Sequence, residues 1–347
     1  MNINNFLNSG CFILDPNFNK IWALTNINTV EKNNANGFAF YKNNFFLTEK
    51  SPWLQGEHYY EIELFEFKEL LSKATRIKPK IEWNEISQDN YKQQFDSLKK
   101  EICTGNLLKG VPFAHQTANL ELCKENLAYL LNSLFEYECK EGLYLYGFWN
   151  LQQKIGFLGA SPELLFTQKN NLIETYALAG TVRNNIKSEN IQCKIIREHN
   201  FVVDGMQTEL AALGDVHIDK TELLKLEQFS HLKSPLQLKL KKDFDFKQVL
   251  TAIHPTPALG AFPKKTGFKW LQYVEDKIEK RLNYCSPFGI CINKNFSLCV
   301  GVIRCLQWEN NSLKITAGGG VIEESIFEEE WEEVCMKLES IRQYFKI

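Results

Sequence analysis

Hydrophobic positions along this chain change their period several times, and the changes mark its elements. Over 88–104, Tyr91, Phe95, Leu98 and Ile102 recur at helical spacing, which predicts a helix with one buried face. A second helix is expected over 125–135. Alternating and short continuous apolar runs predict strands at 143–149, 154–159, 163–167 and 172–178. Residues 190–213 return to helical spacing, and the acid- and Lys-rich stretch 214–245 is expected to form a surface connection. A helix over 268–282, strands at 287–292, 297–307 and 312–317, and a closing helix at 327–345 complete the pattern. Residues 1 to about 85 are rich in Asn, Phe and Lys, with short strand-like runs such as Gly37-Phe38-Ala39-Phe40-Tyr41.

The pattern contains an echo. Leu164 to Thr167 reads as a strand, Asn170-Asn171 as a turn, Leu172 to Leu178 as a strand, and Ala179-Gly180-Thr181 as a small-residue loop. Later, Val302 to Trp308, Asn310-Asn311, Leu313 to Thr316 and Ala317-Gly318-Gly319-Gly320 repeat that order. Asn-rich turns between alternating strands signal hairpins. Two such units point to a duplicated α+β fold built on antiparallel sheets.

Charge and composition narrow the function classes. The 347 residues carry 40 Lys and Arg against 42 Asp and Glu, a net of −2. That balance argues against a generally basic nucleic-acid binder. No apolar run approaches the roughly 18–20 residues of a membrane-spanning helix. The N-terminus, Met1-Asn2-Ile3-Asn4-Asn5, lacks the basic region of a signal peptide, so a cytoplasmic location is expected, without nucleic-acid or membrane partners. The 10 cysteines show neither CxxC spacing nor an accompanying His pair. They are read as reduced, mostly buried small hydrophobes.

Four segments crowd small, charged and catalytic residue types together. Gly159-Ala160-Ser161-Pro162-Glu163 sets a carboxylate at a strand edge beside small neighbours; alone, it is equally a turn with an exposed glutamate. Lys194-Ile195-Ile196-Arg197-Glu198-His199 sets Glu198 at the boundary of an apolar helical stripe. His254-Pro255-Thr256-Pro257 holds a histidine on a rigid, non-helical segment. That histidine is either a substrate contact or a cap for a backbone carbonyl. On the closing helix, at ~100° per residue, Trp331, Val334, Leu338, Ile341 and Phe345 fall within an arc of about 80°. Glu330, Glu333 and Lys337 lie beside that arc, within about 60° of one another. Two carboxylates so placed can share one divalent cation; they also suit a solvated acidic helix with a Glu333–Lys337 pair.

Together these segments resemble the chorismate-utilising enzymes: isochorismate, salicylate, anthranilate and aminodeoxychorismate synthases. The resemblance spans about 85–345. It rests on Gly159-Ala160-Ser161-Pro162-Glu163, Ala177-Leu178-Ala179-Gly180-Thr181, Glu198-His199, His254-Pro255-Thr256-Pro257, Arg304, Ala317-Gly318-Gly319-Gly320, and Glu330-Trp331-Glu332-Glu333 with Lys337, in the family's order. It implies a single large α+β domain of the aminodeoxychorismate synthase-like type, a duplication with antiparallel sheets between helical layers. Residues 1–85 would be a divergent N-terminal part of that fold, and 86–347 the chorismate-binding catalytic region.

By resemblance, Glu198, Glu330 and Glu333 form a Mg2+ shell, whose hard oxygen donors suit that ion. Thr181, His254, Tyr284, Arg304, Gly318, Gly319, Gly320 and Lys337 would contact the substrate. Arginine is the natural fork for a carboxylate, and glycines admit close backbone approach. Ala179 stands where aminodeoxychorismate synthases place an attacking lysine, which argues against that branch. Lys109 matches the lysine that activates water at ring carbon 2, and Glu163 the acid that protonates the departing 4-hydroxyl. A lysine base working near neutral pH must be partly neutral. The expected reaction is therefore the isomerisation of chorismate to isochorismate, which feeds quinone and siderophore synthesis, with no obligatory glutaminase subunit. Salicylate synthase, which shares the water chemistry and then eliminates pyruvate, and a catalytically weak chorismate-binding homologue stand as alternatives. Two departures accompany the resemblance. The strand after Lys109 reads Gly110-Val111-Pro112-Phe113-Ala114-His115, without the family's arginine. Tyr284-Cys285-Ser286-Pro287-Phe288-Gly289 lacks a glycine usual there.

Overall fold

The computed structural model describes residues 1–17, 19–33, 38–137, 142–183, 192–225 and 229–347. The chain opens with α1 (Ile3–Asn8), β1 (Ser9–Asp15), β2 (Lys20–Val30), β3 (Ala39–Lys42), β4 (Trp53–Glu63) and α2 (Leu64–Ser72). There follow α3 (Asp89–Cys103), β5 (Lys109–Gly110), β6 (Phe113–Asn119), α4 (Lys124–Glu136), β7 (Tyr144–Asn150), β8 (Ile155–Ser161), β9 (Leu164–Lys169), β10 (Leu172–Arg183) and α5 (Cys193–Leu210). The chain continues through β11 (Gly214–Ile218), β12 (Glu222–Lys225), β13 (Phe229–Leu240), α6 (Phe246–Ile253), β14 (Ala261–Phe262) and α7 (Lys264–Lys277). It closes with β15 (Pro287–Asn293), β16 (Phe296–Gly301), β17 (Cys305–Glu309), β18 (Ser312–Gly318) and α8 (Phe327–Phe345).

The strands join in one 16-stranded antiparallel path, β11-β13-β10-β9-β16-β15-β3-β4-β2-β1-β7-β8-β17-β18-β6, with β12 beside β13; β5 and β14 pair separately. The path folds on itself. Cys11, Trp22, Phe40, Tyr146, Phe157, Phe288 and Val300 from its two halves form one inner core. The outer face of one half buries apolar residues of α1, α2, α4 and α8. The other half is covered by α3, α5, α6 and α7. This is the α+β arrangement of sheets between helical layers, with β1 to β4 joining the halves.

Sheet order departs from chain order in a systematic way. The β7–β8 hairpin continues into β17, and the β15–β16 hairpin continues into β9. Each repeat therefore sends its second hairpin across to the other half. Asn170 and Asn310, in the turns of those hairpins, both adopt the left-handed conformation, with φ 56° and 53°, which asparagine tolerates better than most residues. The crossings, Pro162–Glu163 and Val302–Arg304, are tied together. Ser161 Oγ donates to the Gly301 carbonyl at 2.6 Å. The Gly301 amide donates to the Glu163 carbonyl at 3.0 Å, and that of Ala160 to the Arg304 carbonyl at 3.3 Å.

Several expectations need correction. Residues 214–245 are not a surface connection: among the described residues they supply β11, β12 and β13. Leu232, Ser234, Leu236, Leu238 and Leu240 alternate with more exposed residues and face inward; lysines between them mask a period-two strand. The expected strand 297–307 breaks at Arg304, which has φ 52°. The helix expected at 268–282 runs over Lys264–Lys277, and the one at 190–213 over Cys193–Leu210; residues 190 and 191, like Gly37 and Cys139, lie outside the described residues. Of the described cysteines, Cys11, Cys285, Cys299 and Cys305 are buried, but Cys103, Cys123 and Cys193 are exposed, and all are free. No described helix is long and apolar enough to cross a membrane.

Candidate active site

The two crossings meet the far ends of β10 and β18 at a cleft with about 740 Å³ of unfilled space, part of it open to solvent. Glu163 and Arg304 enter it from the crossings. Ala179, Gly180 and Thr181 enter from β10, Gly318 and Gly320 from the end of β18, Glu198 from α5, and Glu333 and Lys337 from α8. Lys109, Tyr284 and His231 complete the polar lining.

Lys109 reaches the cleft from a strand of two residues. β5 pairs with β14 through Lys109↔Phe262 and Gly110↔Ala261, and Gly110 bridges to Val321. Pro112, which has no N–H for a ladder, separates β5 from β6. The strand is irregular at Pro112, and Lys109 faces the cleft. The Lys109 ammonium is 1% exposed. It donates to the Pro257 carbonyl at 3.1 Å and lies 3.4 Å from Glu198 Oε1. A Cβ on Gly320 would overlap Glu198 Oε1 and stand 2.5 Å from Lys109 Nζ. Glycine is the residue that lets these side chains meet over the backbone.

Glu163 is 3% exposed and accepts from Thr256 Oγ1 at 3.3 Å. Burial pushes its carboxyl up to about 8, against the opposing pulls of Thr256 and the Lys109 charge. At neutral pH it is protonated and able to donate.

Three further carboxylates cluster between α5 and α8, each beside an ammonium. Glu330 accepts from Lys194 at 2.7 Å. Glu333 pairs with Lys337 at 2.7 Å and accepts from Thr181 Oγ1 at 2.8 Å. Glu198 faces Lys109. Burial pushes Glu198 up to about 7; Lys109 opposes the shift, and Glu330 and Glu333 add to it. Burial and then the Glu333 charge raise Glu330. Burial also acts on Glu333, but Lys337 and Thr181 outweigh it and hold that carboxyl below its ordinary range. Among the described residues, no three His, Cys, Asp or Glu side chains are gathered to hold a metal ion as they stand.

Beside this acidic cluster, within reach of Glu333 and Lys337, lies a basic end of the cleft. Arg304 donates to Tyr344 OH at 2.8 Å and meets His231 Nε2 at 3.4 Å. A guanidinium only donates, so that ring nitrogen accepts. Burial, then the Arg304 and Lys337 charges, push His231 down to about 3, and the ring is neutral.

The profile of the family described as chorismate binding enzyme matches residues 27–346. The chain belongs to that family. Isochorismate synthase MenF of Pasteurella multocida (strain Pm70) is 32% identical over 194 residues, 52% of this chain and 44% of that protein. Anthranilate synthase component 1 of Bacillus pumilus is 25% identical over 289 residues, 78% of this chain and 54% of that protein. The solved structure of MenF, the menaquinone-specific isochorismate synthase from Escherichia coli, has a TM-score of 0.80 at 18% identity, covering 99% of this chain and 91% of that one. At that identity the likeness establishes the fold. The chain spans about half the length of the curated relatives it matches.

In this family member most of the sequence-predicted site residues converge on one cleft: Lys109, Glu163, Thr181, Glu198, Tyr284, Arg304, Gly318, Gly320, Glu333 and Lys337 all line it. Gly319 and Glu330 stand just behind. Glu330 lines the adjoining acidic opening with Lys194 and Glu329, and a Cβ on Gly319 would lie 3.1 Å from Glu330 Oε2. His254 is the exception and corrects the expectation of a substrate contact. It is 3% exposed, outside the cleft lining, and bonds the Phe45 carbonyl at 2.8 Å. Its segment serves the cleft through Thr256 and Pro257 instead. The sequence pattern does not reveal His231, which lies on a lysine-interrupted strand, and it gives Lys194 no role, because its partner is 136 residues away.

Proposed function

We propose that this chorismate-binding enzyme is an isochorismate synthase. The observation that carries the reading is the pairing, across one cleft, of a buried lysine with a glutamate that is protonated at neutral pH. In the reaction, Lys109 in its neutral amine form takes a proton from water as its oxygen adds to ring carbon 2, and after each turnover that proton returns through solvent to the Glu163 carboxylate. The ring double bonds shift, the bond from carbon 4 to its hydroxyl breaks, and Glu163 supplies the proton that lets it leave as water. Water is taken up and water released, so the net change is an isomerisation, with a hydroxyl at carbon 2 in place of the one at carbon 4 and no redox cofactor. Arg304, Tyr284, Lys337 and the backbone at Gly318 and Gly320 would hold the two substrate carboxylates.

Glu198, Glu330 and Glu333 would hold Mg2+. They are hard oxygen donors from two helices; burial first, and then the repulsion between neighbouring carboxylates, raises Glu198 and Glu330, and a bound dication relieves both. When bound, the ion supplies a positive centre for a substrate carboxylate. The test is purified protein with chorismate and Mg2+, without ammonia, analysed by chromatography. Isochorismate is the expected product, and Lys109→Ala removes its formation. Anthranilate formed only with ammonia, stoichiometric pyruvate, or no turnover would overturn the reading.

A further inference from the structure

We infer that Lys194 is an internal counter-ion that holds Glu330 in the metal-free protein, and that a divalent cation binds by displacing its ammonium. The inference rests on the reading of Glu330 as a cation ligand and concerns what occupies that carboxylate beforehand. Glu330 is 4% exposed, and an ionised group so buried needs a partner. Lys194 Nζ meets Glu330 Oε1 at 2.7 Å, while Glu330 Oε2 lies against the backbone at Gly319. The pair ties α5 of one repeat to α8 of the other.

Lys194 differs from the two other lysines of the cluster. Lys109 and Lys337 line the substrate cleft, whereas Lys194 stands in the adjoining acidic opening. Its side chain is 20% exposed and has a second acceptor ready, Glu329 Oε2 at 3.6 Å, itself 61% exposed. An ammonium leaving Glu330 therefore keeps an ion pair at the surface, while Glu330 stays buried and free to accept a cation. Metal binding and the Lys194–Glu330 pair are then alternatives at one oxygen, and removing the lysine strengthens the first.

The experiment is calorimetric titration of the whole protein with Mg2+ alone, without chorismate, at fixed ionic strength. Lys194→Met is expected to bind Mg2+ about tenfold more tightly, the change that ~1.4 kcal/mol of lost competition produces. Lys194→Gln, which keeps a hydrogen-bond donor without the charge, shifts the same way and serves if the Met variant fails to fold. Arg197→Met is the control for general charge. Arg197 is exposed on the same helix and paired with Glu323 at 3.3 Å and with Glu324, and its loss is expected to leave Mg2+ affinity nearly unchanged. Melting gives a second readout: Lys194→Met lowers Tm without Mg2+, and saturating Mg2+ restores it. Unchanged or weaker Mg2+ binding in both Lys194 variants overturns the inference alone, as does equal tightening by Arg197→Met. Absence of any Mg2+ binding to the parent protein overturns both the inference and the magnesium part of the proposed function.

Discussion

Glu163 shows how one side chain couples chemistry to stability. Its carboxyl lies near 8 in the fold against an ordinary value of 4.5. Between those values the folded chain keeps a proton that the unfolded chain releases. The stability that neutral Glu163 contributes is therefore complete below about 4.5 and declines as pH rises to about 8. Two results follow. Turnover should fall as pH rises through about 8, as the acid ionises. Glu163→Gln should lose turnover, yet melt close to the parent at the acidic end of that window and above it at the alkaline end, because glutamine cannot ionise. Melting curves across pH check the second result without reference to activity. Arg304, at the matching crossing of the other repeat, has a contrasting role: a fixed cation held by Tyr344 and His231.

At the scale of elements, the sequence is legible where one period governs a segment. Of the predicted α8 face, Val334, Leu338, Ile341 and Phe345 are fully buried, Trp331 is partly buried against the same core, and the hairpin turns fall at Asn170 and Asn310. The two glutamates and the lysine beside that face do share a side, as i,i+3 and i,i+4 positions must: Glu330 meets Lys194 of α5, while Glu333 and Lys337 pair and meet Thr181 and the Gly318 carbonyl. β13 is hard to read from sequence because Lys233 and Lys239 break its apolar pattern, while Leu232, Leu236, Leu238 and Leu240 on the inward face carry the period-two signal. Leu238→Ala, at a fully buried position, should cost ~2–5 kcal/mol in urea unfolding. Its exposed neighbour Lys239→Ala should stay within about 0.5 kcal/mol. His254 shows a different gap: its segment reaches the cleft through Thr256 and Pro257, but spacing cannot tell which of His254, Thr256 and Pro257 turns inward.

At the scale of the whole molecule, the exchange of hairpins makes the halves mutually dependent. Neither half of the sheet is complete without strands from the other repeat, a long-range arrangement that local patterns do not encode. Trp149 and Trp308 sit in one helix-covered core, and Trp53 and Trp270 in the other. Single-tryptophan versions reporting from each core should give the same urea midpoint, and separate midpoints would show that the halves unfold independently. The proposed base lies outside this shared framework. Lys109 rides on β5, which among the described residues pairs its backbone with β14 and, at one bridge, with Val321, away from the 16-stranded path. Lys109 and Gly110 are buried, with Leu98 and Trp270 closing on Gly110, yet so short a ladder lacks the strand neighbours that brace the 16-stranded path, and it is expected to open before the rest does. Mild urea should therefore silence the enzyme at concentrations that leave tryptophan fluorescence and circular dichroism unchanged, and dilution should restore turnover at once. Wear on this protein, from warmth or solvent, would first show as lost turnover in a chain that is still folded.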